Sequence, residues 1–149
     1  MTLTSLDAAG IAARIPHRGT MCLLASMSAW SAESIVCHAG GQRDIDHPLR
    51  SGGVLHAACG VEYAAQAMAL HGTLAAIDRG AAPRPGVIAS LRGVTLHVAR
   101  LDDIAGTIEV RAQRLAGDER QAQYAFTLRD AAARPLVEGR ATVILDAYP

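Results

Sequence analysis

Gly52-Gly53-Val54-Leu55-His56-Ala57-Ala58-Cys59-Gly60-Val61-Glu62-Tyr63-Ala64-Ala65-Gln66-Ala67-Met68-Ala69-Leu70-His71-Gly72 is the stretch on which the fold turns. From Val54 to His71 nearly every residue is apolar or small, Pro is absent, and Glu62 is the single formal charge. Such a run predicts a helix that is apolar around its whole circumference and therefore buried on every side. A membrane span is the rival reading. It fails because the run is marginal in length and Glu62, Gln66, His56 and His71 make it too polar for lipid. Ala57, Ala58, Ala64, Ala65, Ala67 and Ala69 leave a thin cylinder that a sheet can approach closely.

Glu62 and Gln66 stand one helical turn apart, so their side chains project from the same face of this rod. The helix neighbours Ala58, Val61 and Ala65 offer Glu62 no charge partner. A carboxyl buried there either stays protonated and serves as a proton donor, or bonds a neighbouring loop in a purely structural role.

Working outward, 149 residues with half of them hydrophobic suffice for one domain with a substantial core, residues 1–149. A formal net charge of +0 offers no general attraction for nucleic acid or an anionic membrane. Met1 to Leu6 has neither the basic flank nor the apolar run of a signal peptide, which implies a cytoplasmic protein. Cys22, Cys37 and Cys59 are odd in number and lack Cys-x-x-Cys spacing, so free thiols are expected rather than disulfides or a zinc site.

In chain order, Ser5 to Ile15 reads as a short helix capped by Ser5 or Asp7 and stopped by Pro16. Met21 to Trp30 and Ser34 to Ala39 read as a strand hairpin turning at Ser31 to Glu33. Gly40 to Gly53 is a polar loop feeding the central helix, and Thr73 to Pro85 mixes a possible helical extension with a Gly-, Ala- and Pro-rich turn that crosses the rim of the sheet. A four-strand meander follows. Val87 to Val98 carries Gly93 as a bulge, and in Thr107 to Leu115 the residues Ile108, Val110 and Ala112 share one face. The same alternation turns Ala122, Tyr124, Phe126 and Leu128 inward, and Val137, Gly139, Ala141, Val143 and Leu145 on the last strand. An antiparallel sheet with one apolar face needs a cover, and the only element apolar all round is the Gly53 to His71 helix. The expectation is an α+β fold in which the sheet wraps that helix.

Three stretches carry a resemblance to a known family. Ile15-Pro16-His17-Arg18 followed by Met21-Cys22-Leu23-Leu24, Gly53-Val54-Leu55 with Gly60-Val61-Glu62-Tyr63-Ala64-Ala65-Gln66, and Gly139-Arg140-Ala141-Thr142-Val143 occur in the order found in hotdog-fold 3-hydroxyacyl-thioester dehydratases of fatty acid synthesis. The likeness spans Ile15 to Leu145. More narrowly, the helix word resembles that of the dehydratase-like proteins of aryl polyene pigment pathways. The resemblance implies a hotdog fold, a 3-hydroxyacyl thioester on acyl carrier protein as substrate, and pairing with a second copy or a related hotdog subunit. In the fatty acid enzymes the catalytic His opens a His-Phe-Pro-Gly word before the helix. The nearest counterpart here is His47-Pro48-Leu49, and His56 stands at the helix start where that family more often shows Pro. His47 and His56 are thus the two candidates for the general base, while His17 and His71 read as structural.

Dehydration of such a thioester requires a base for the α-proton, an acid for the departing hydroxyl, and donors for the thioester oxygen. The resemblance assigns the first role to His47 or His56 and the second to Glu62. Backbone N–H groups near Gly53 and Val54, at the expected helix N-terminus, take the third, with Gln66 orienting Glu62. No cofactor or metal is called for. Two other functions remain open: a hotdog thioesterase using the same carboxyl to activate water, and a non-catalytic subunit of a heteromeric dehydratase.

Overall fold

The computed structural model describes residues 3–146; the first two residues of the stretch read for a leader, and residues 147–149, lie outside the described residues. The elements are β1 (Leu6–Asp7), α1 (Ala8–Ala12), β2 (Ser26–Trp30), β3 (Ser34–Ala39), α2 (Gly60–Asp78), β4 (Gly86–Leu96), β5 (Ile108–Gly117), β6 (Gln121–Arg129) and β7 (Pro135–Leu145). All strands pair antiparallel in one sheet of order β1-β2-β3-β5-β6-β7-β4. The expected arrangement, an antiparallel sheet around one long helix, is the observed one. Among the described residues, no helix is long and apolar enough to cross a membrane.

The inner face of the sheet follows the two-residue alternation. Ile108, Val110 and Ala112 on β5 and Ala122, Tyr124, Phe126 and Leu128 on β6 are all buried, as the pleat requires. On β7 the agreement is partial. Val137 and Ala141 are buried, but Gly139, Val143 and Leu145 are only half-buried. A register shift between Leu128 and Arg129 sends Leu136 into the core as well. The helix lies close on this surface: a Cβ built on Gly60 would sit 3.0 Å from Val137 Cγ2 and 3.1 Å from Leu128 Cδ2.

Four expectations need correction. First, the four-strand meander is broken, because β4 lies at the far edge against β7 while β3 pairs with β5. The burial patterns explain the choice. Strand β3 buries Ile35, Cys37 and Ala39 in strict alternation and suits the middle of a sheet, whereas β4 leaves Leu91, Val94 and Leu96 exposed. The bulge at Gly93 is present, with φ +56 beside a register shift between Arg92 and Thr95.

Second, the helix starts later than the apolar stretch suggested, at Gly60, while its far end continues to Asp78 along the helical extension possible from Thr73. Gly52 and Gly53, with φ of +59 and +78, turn the chain sharply, and Ser51 and Val54 bond each other across the turn. Residues 54–57 then run extended beside 99–101: Ala57 N donates to Ala99 O at 3.0 Å and Leu101 N to Leu55 O at 2.8 Å. Leu55 N also donates to Asp102 Oδ1 at 2.9 Å. The Arg100 guanidinium, aided by that backbone N–H, holds the Asp102 carboxyl well below the usual carboxylate range. One 3-10 turn, Ala57–Cys59, then leads into α2. Third, α1 is shorter than expected because Leu6 and Asp7 pair with Met27 and Ser26, leaving Asp7 to cap the helix through a 2.8 Å bond from Gly10 N.

The helix is also not buried on every side. Tyr63, Ala64, Ala67, Leu70 and Leu74 pack on the sheet, while Glu62, Ala65, Ala69 and Thr73 are half-buried and Gly72 is exposed. The small residues therefore line an open face.

Candidate functional site

That open face is the floor of a cleft of ≈ 1110 Å³, lined among others by His17, Trp30, Glu62, Met68, His71 and Tyr124. It is on the scale of a pocket for a substantial ligand, about 300–1,000 Å³.

Glu62 stands in the first turn of α2, and its carboxylate has two contacts at one oxygen. His17 Nε2 lies 2.9 Å from Oε1, and Gln66 Nε2 donates to the same Oε1 at 3.3 Å. Gln66 is in turn fixed from both ends of its amide. Its Oε1 accepts from Leu23 N at 2.9 Å, and its Nε2 donates to Met21 O at 2.6 Å. Complete burial suits a side chain whose donors and acceptor are all used. The segment from Pro16 to Leu24 is thereby stitched onto the face of α2 that carries Glu62 and Gln66.

The expectation of a buried, partnerless Glu62 is corrected. Its side chain is 32% exposed and His17, itself 22% exposed, is its partner. The spacing of residues along the helix does not encode a contact made by a segment distant in the chain. The one available signal was the Pro16-His17-Arg18 word itself, whose His was read as structural.

His47 is held elsewhere. It is buried rather than a free loop side chain, and its Nδ1 accepts from Leu49 N at 3.1 Å. The ring proton therefore sits on Nε2, 2.9 Å from Tyr63 Oη. Burial first, and then the Arg50 guanidinium, lower the pKa of this ring from 6.5, against a smaller upward pull from Asp44. Burial likewise raises the Tyr63 phenol above its usual range. His56 is exposed and immediately precedes the 3-10 turn, its backbone bridged to Arg100. Gly53 and Val54 are not at a helix N-terminus. They lie in the turn before it, where Val54 N donates to Ser51 O and Gly53 O accepts from Arg50. Of the residues singled out from the sequence, Glu62 and Gln66 are brought together; among the described residues, neither His47 nor His56 bonds Glu62.

A second buried histidine forms part of the cleft wall. His71 Nε2 donates to Ser31 O at 2.9 Å, leaving Nδ1 to accept from Tyr124 Oη at 2.7 Å. Burial lowers its pKa from 6.5, outweighing the upward effect of the Ser31 carbonyl, and raises the Tyr124 phenol to about 12.

Residues 9–147 match the family model described as ApeP-like, ApeP dehydratase. Among solved structures, the dehydratase heterocomplex ApeI:P from Xenorhabdus doucetiae superposes with a TM-score of 0.80 at 21% identity, covering 94% of this chain and 91% of that one. The thioesterase HI1161 from Haemophilus influenzae gives 0.66 at 16% identity, covering 94% and 90%. Zebra fish thioesterase superfamily member 2 gives 0.63 at 20% identity, covering 94% and 99%. At these identities the likenesses establish the hotdog fold. No curated protein matches the chain by sequence.

Proposed function

We propose, from the premise that this chain belongs to the ApeP-like dehydratase family, that it converts 3-hydroxyacyl thioesters on acyl carrier protein to trans-2-enoyl thioesters in fatty acid-like or aryl polyene biosynthesis. The observation that carries this reading is Glu62 on the cleft, with one oxygen held by His17 and Gln66. In the reaction a base removes a proton from C2, the C2–C3 double bond forms, and the C3–O bond breaks. Glu62 supplies a proton to the departing hydroxyl, which leaves as water. His47 and His56 are the sequence-level candidates for the base.

Two further readings are each favoured by a particular finding. The thioesterases that share the fold favour hydrolysis, with Glu62 activating water. The heterocomplex of the ApeI:P structure favours a subunit that works only with a related partner. One assay separates all three. Incubated with a 3-hydroxyacyl carrier protein, the purified protein is expected to yield an acyl carrier lighter by one water. Free hydroxy acid and unloaded carrier would replace dehydration with hydrolysis, and product appearing only after a related hotdog protein is added would make the chain a partner subunit.

Pairing is part of the proposal. Strand β4 is eleven residues long and, among the described residues, pairs only with β7, leaving its other edge unpaired there with Leu91, Val94 and Leu96 exposed. The small-residue face of α2 is open on the same molecule. Such an edge is a template for another strand. Sedimentation is expected to show at least a dimer, with itself or with a related subunit; a monomer at every concentration and in every mixture would count against a shared assembly.

A further inference from the structure

We propose that His17 is the positioning residue of Glu62: its neutral ring, protonated on Nε2, anchors Oε1 and leaves Oε2 as the oxygen that meets the substrate. The role assigned to Oε2 rests on the dehydratase reading, whereas the pairing itself does not.

The geometry that points to this is asymmetric. Both neighbours of the carboxylate, His17 Nε2 at 2.9 Å and Gln66 Nε2 at 3.3 Å, approach Oε1. Oε2 has no protein partner among the described residues and is not among the buried unpaired atoms, so it opens on the cleft. The other nitrogen of His17 identifies the working tautomer. Nδ1 is buried without a hydrogen-bond partner among the described residues. A proton there would be a buried donor with no acceptor, which is costly, whereas a bare lone pair costs less. The ring proton therefore belongs on Nε2, pointed at Glu62. His47 cannot perform this service, because its two nitrogens are engaged by Leu49 N and Tyr63 Oη. Since Gln66 is clamped by Met21 O and Leu23 N, the only adjustable donor on Oε1 among the described residues is His17. Each chain thus supplies the imidazole that orients its own carboxyl.

The test has two arms. Beside the Nε2-protonated rings of His47 and His71, long-range 1H–15N spectra of wild-type protein labelled with 15N in its histidines are expected to show a further ring, that of His17, with the proton on Nε2. Its signals disappear in His17→Gln and shift in Glu62→Gln. A proton on Nδ1, or signals unmoved by Glu62→Gln, overturns the pairing whether or not the protein has activity. In turnover of a 3-hydroxyacyl carrier, His17→Ala is expected to lower kcat about a hundredfold, the scale of a misplaced reacting group. KM should stay within about twofold, since uniform binding is untouched. His17→Gln, which keeps an N–H donor, should recover much of the loss. An unchanged kcat in a folded His17→Ala protein overturns the positioning role. A wild type that shows the tautomer and the shift but no turnover on any 3-hydroxyacyl thioester overturns the dehydratase reading and leaves the pairing standing.

Discussion

Glu62→Gln is expected to leave a folded protein whose turnover of a 3-hydroxyacyl carrier falls about a hundredfold or more, the scale of a lost general acid. The fold should survive because the substitution preserves shape and an acceptor. A Gln oxygen at the Oε1 position still accepts from His17 Nε2 and from Gln66 Nε2, and the clamp of Gln66 on Met21 and Leu23 is untouched. What disappears is the proton, since an amide does not donate one as an acid. Circular dichroism and sedimentation check the fold, and product masses over time check the rate. If the variant unfolds while the wild type is inactive on every 3-hydroxyacyl thioester, Glu62 is a structural residue and the partner-subunit reading prevails.

His71→Ala is expected to act on stability instead, by about 3 kcal/mol, because it leaves the Tyr124 hydroxyl without its acceptor and opens a cavity in the core. For a chain of this size that lowers Tm by about 10 °C. Adding Tyr124→Phe should return part of the loss, since the orphaned hydroxyl goes with it.

The same residue sets a pH dependence. Burial depresses the pKa of His71 below 6.5 in the folded state, so below that pH the unfolded chain binds the proton more readily than the native one. Stability is then complete above pH 6.5 and is lost as the pH falls below it. His47, lowered by its own burial, contributes with the same sign. Tm measured from about pH 8 to about pH 5 should fall on the acid side, less steeply for His71→Ala than for wild type. A flat profile would remove both rings from the account.

Much of the fold could be read from local pattern. The strands of the second half declare themselves through alternation, and Ile108, Val110, Ala112, Tyr124, Phe126 and Leu128 are buried where that alternation put them. The apolar, Ala-rich run likewise announced one helix against one sheet. Side-chain periodicity is local, so a short window of sequence contains it. The pairing of Glu62 with Gln66 was legible for the same reason, being a matter of one helical turn.

Tertiary structure alone decided the rest. Whether β4 continues a meander or crosses to the edge beside β7 depends on which strand best buries its side chains, a comparison made across the whole sheet. The start of α2 depends on Leu55 and Ala57 finding partners at Leu101, Asp102 and Ala99; an apolar run does not reveal that competition. His17 and Glu62 meet only because Gln66 draws the Met21 to Leu23 segment onto the helix. The sequence by itself determined which residues of β5 and β6 are inward and which face of the helix carries a carboxyl. Which imidazole stands beside that carboxyl, and which are taken by Tyr63 or Tyr124, follows from long-range hydrogen bonds that no local spacing encodes.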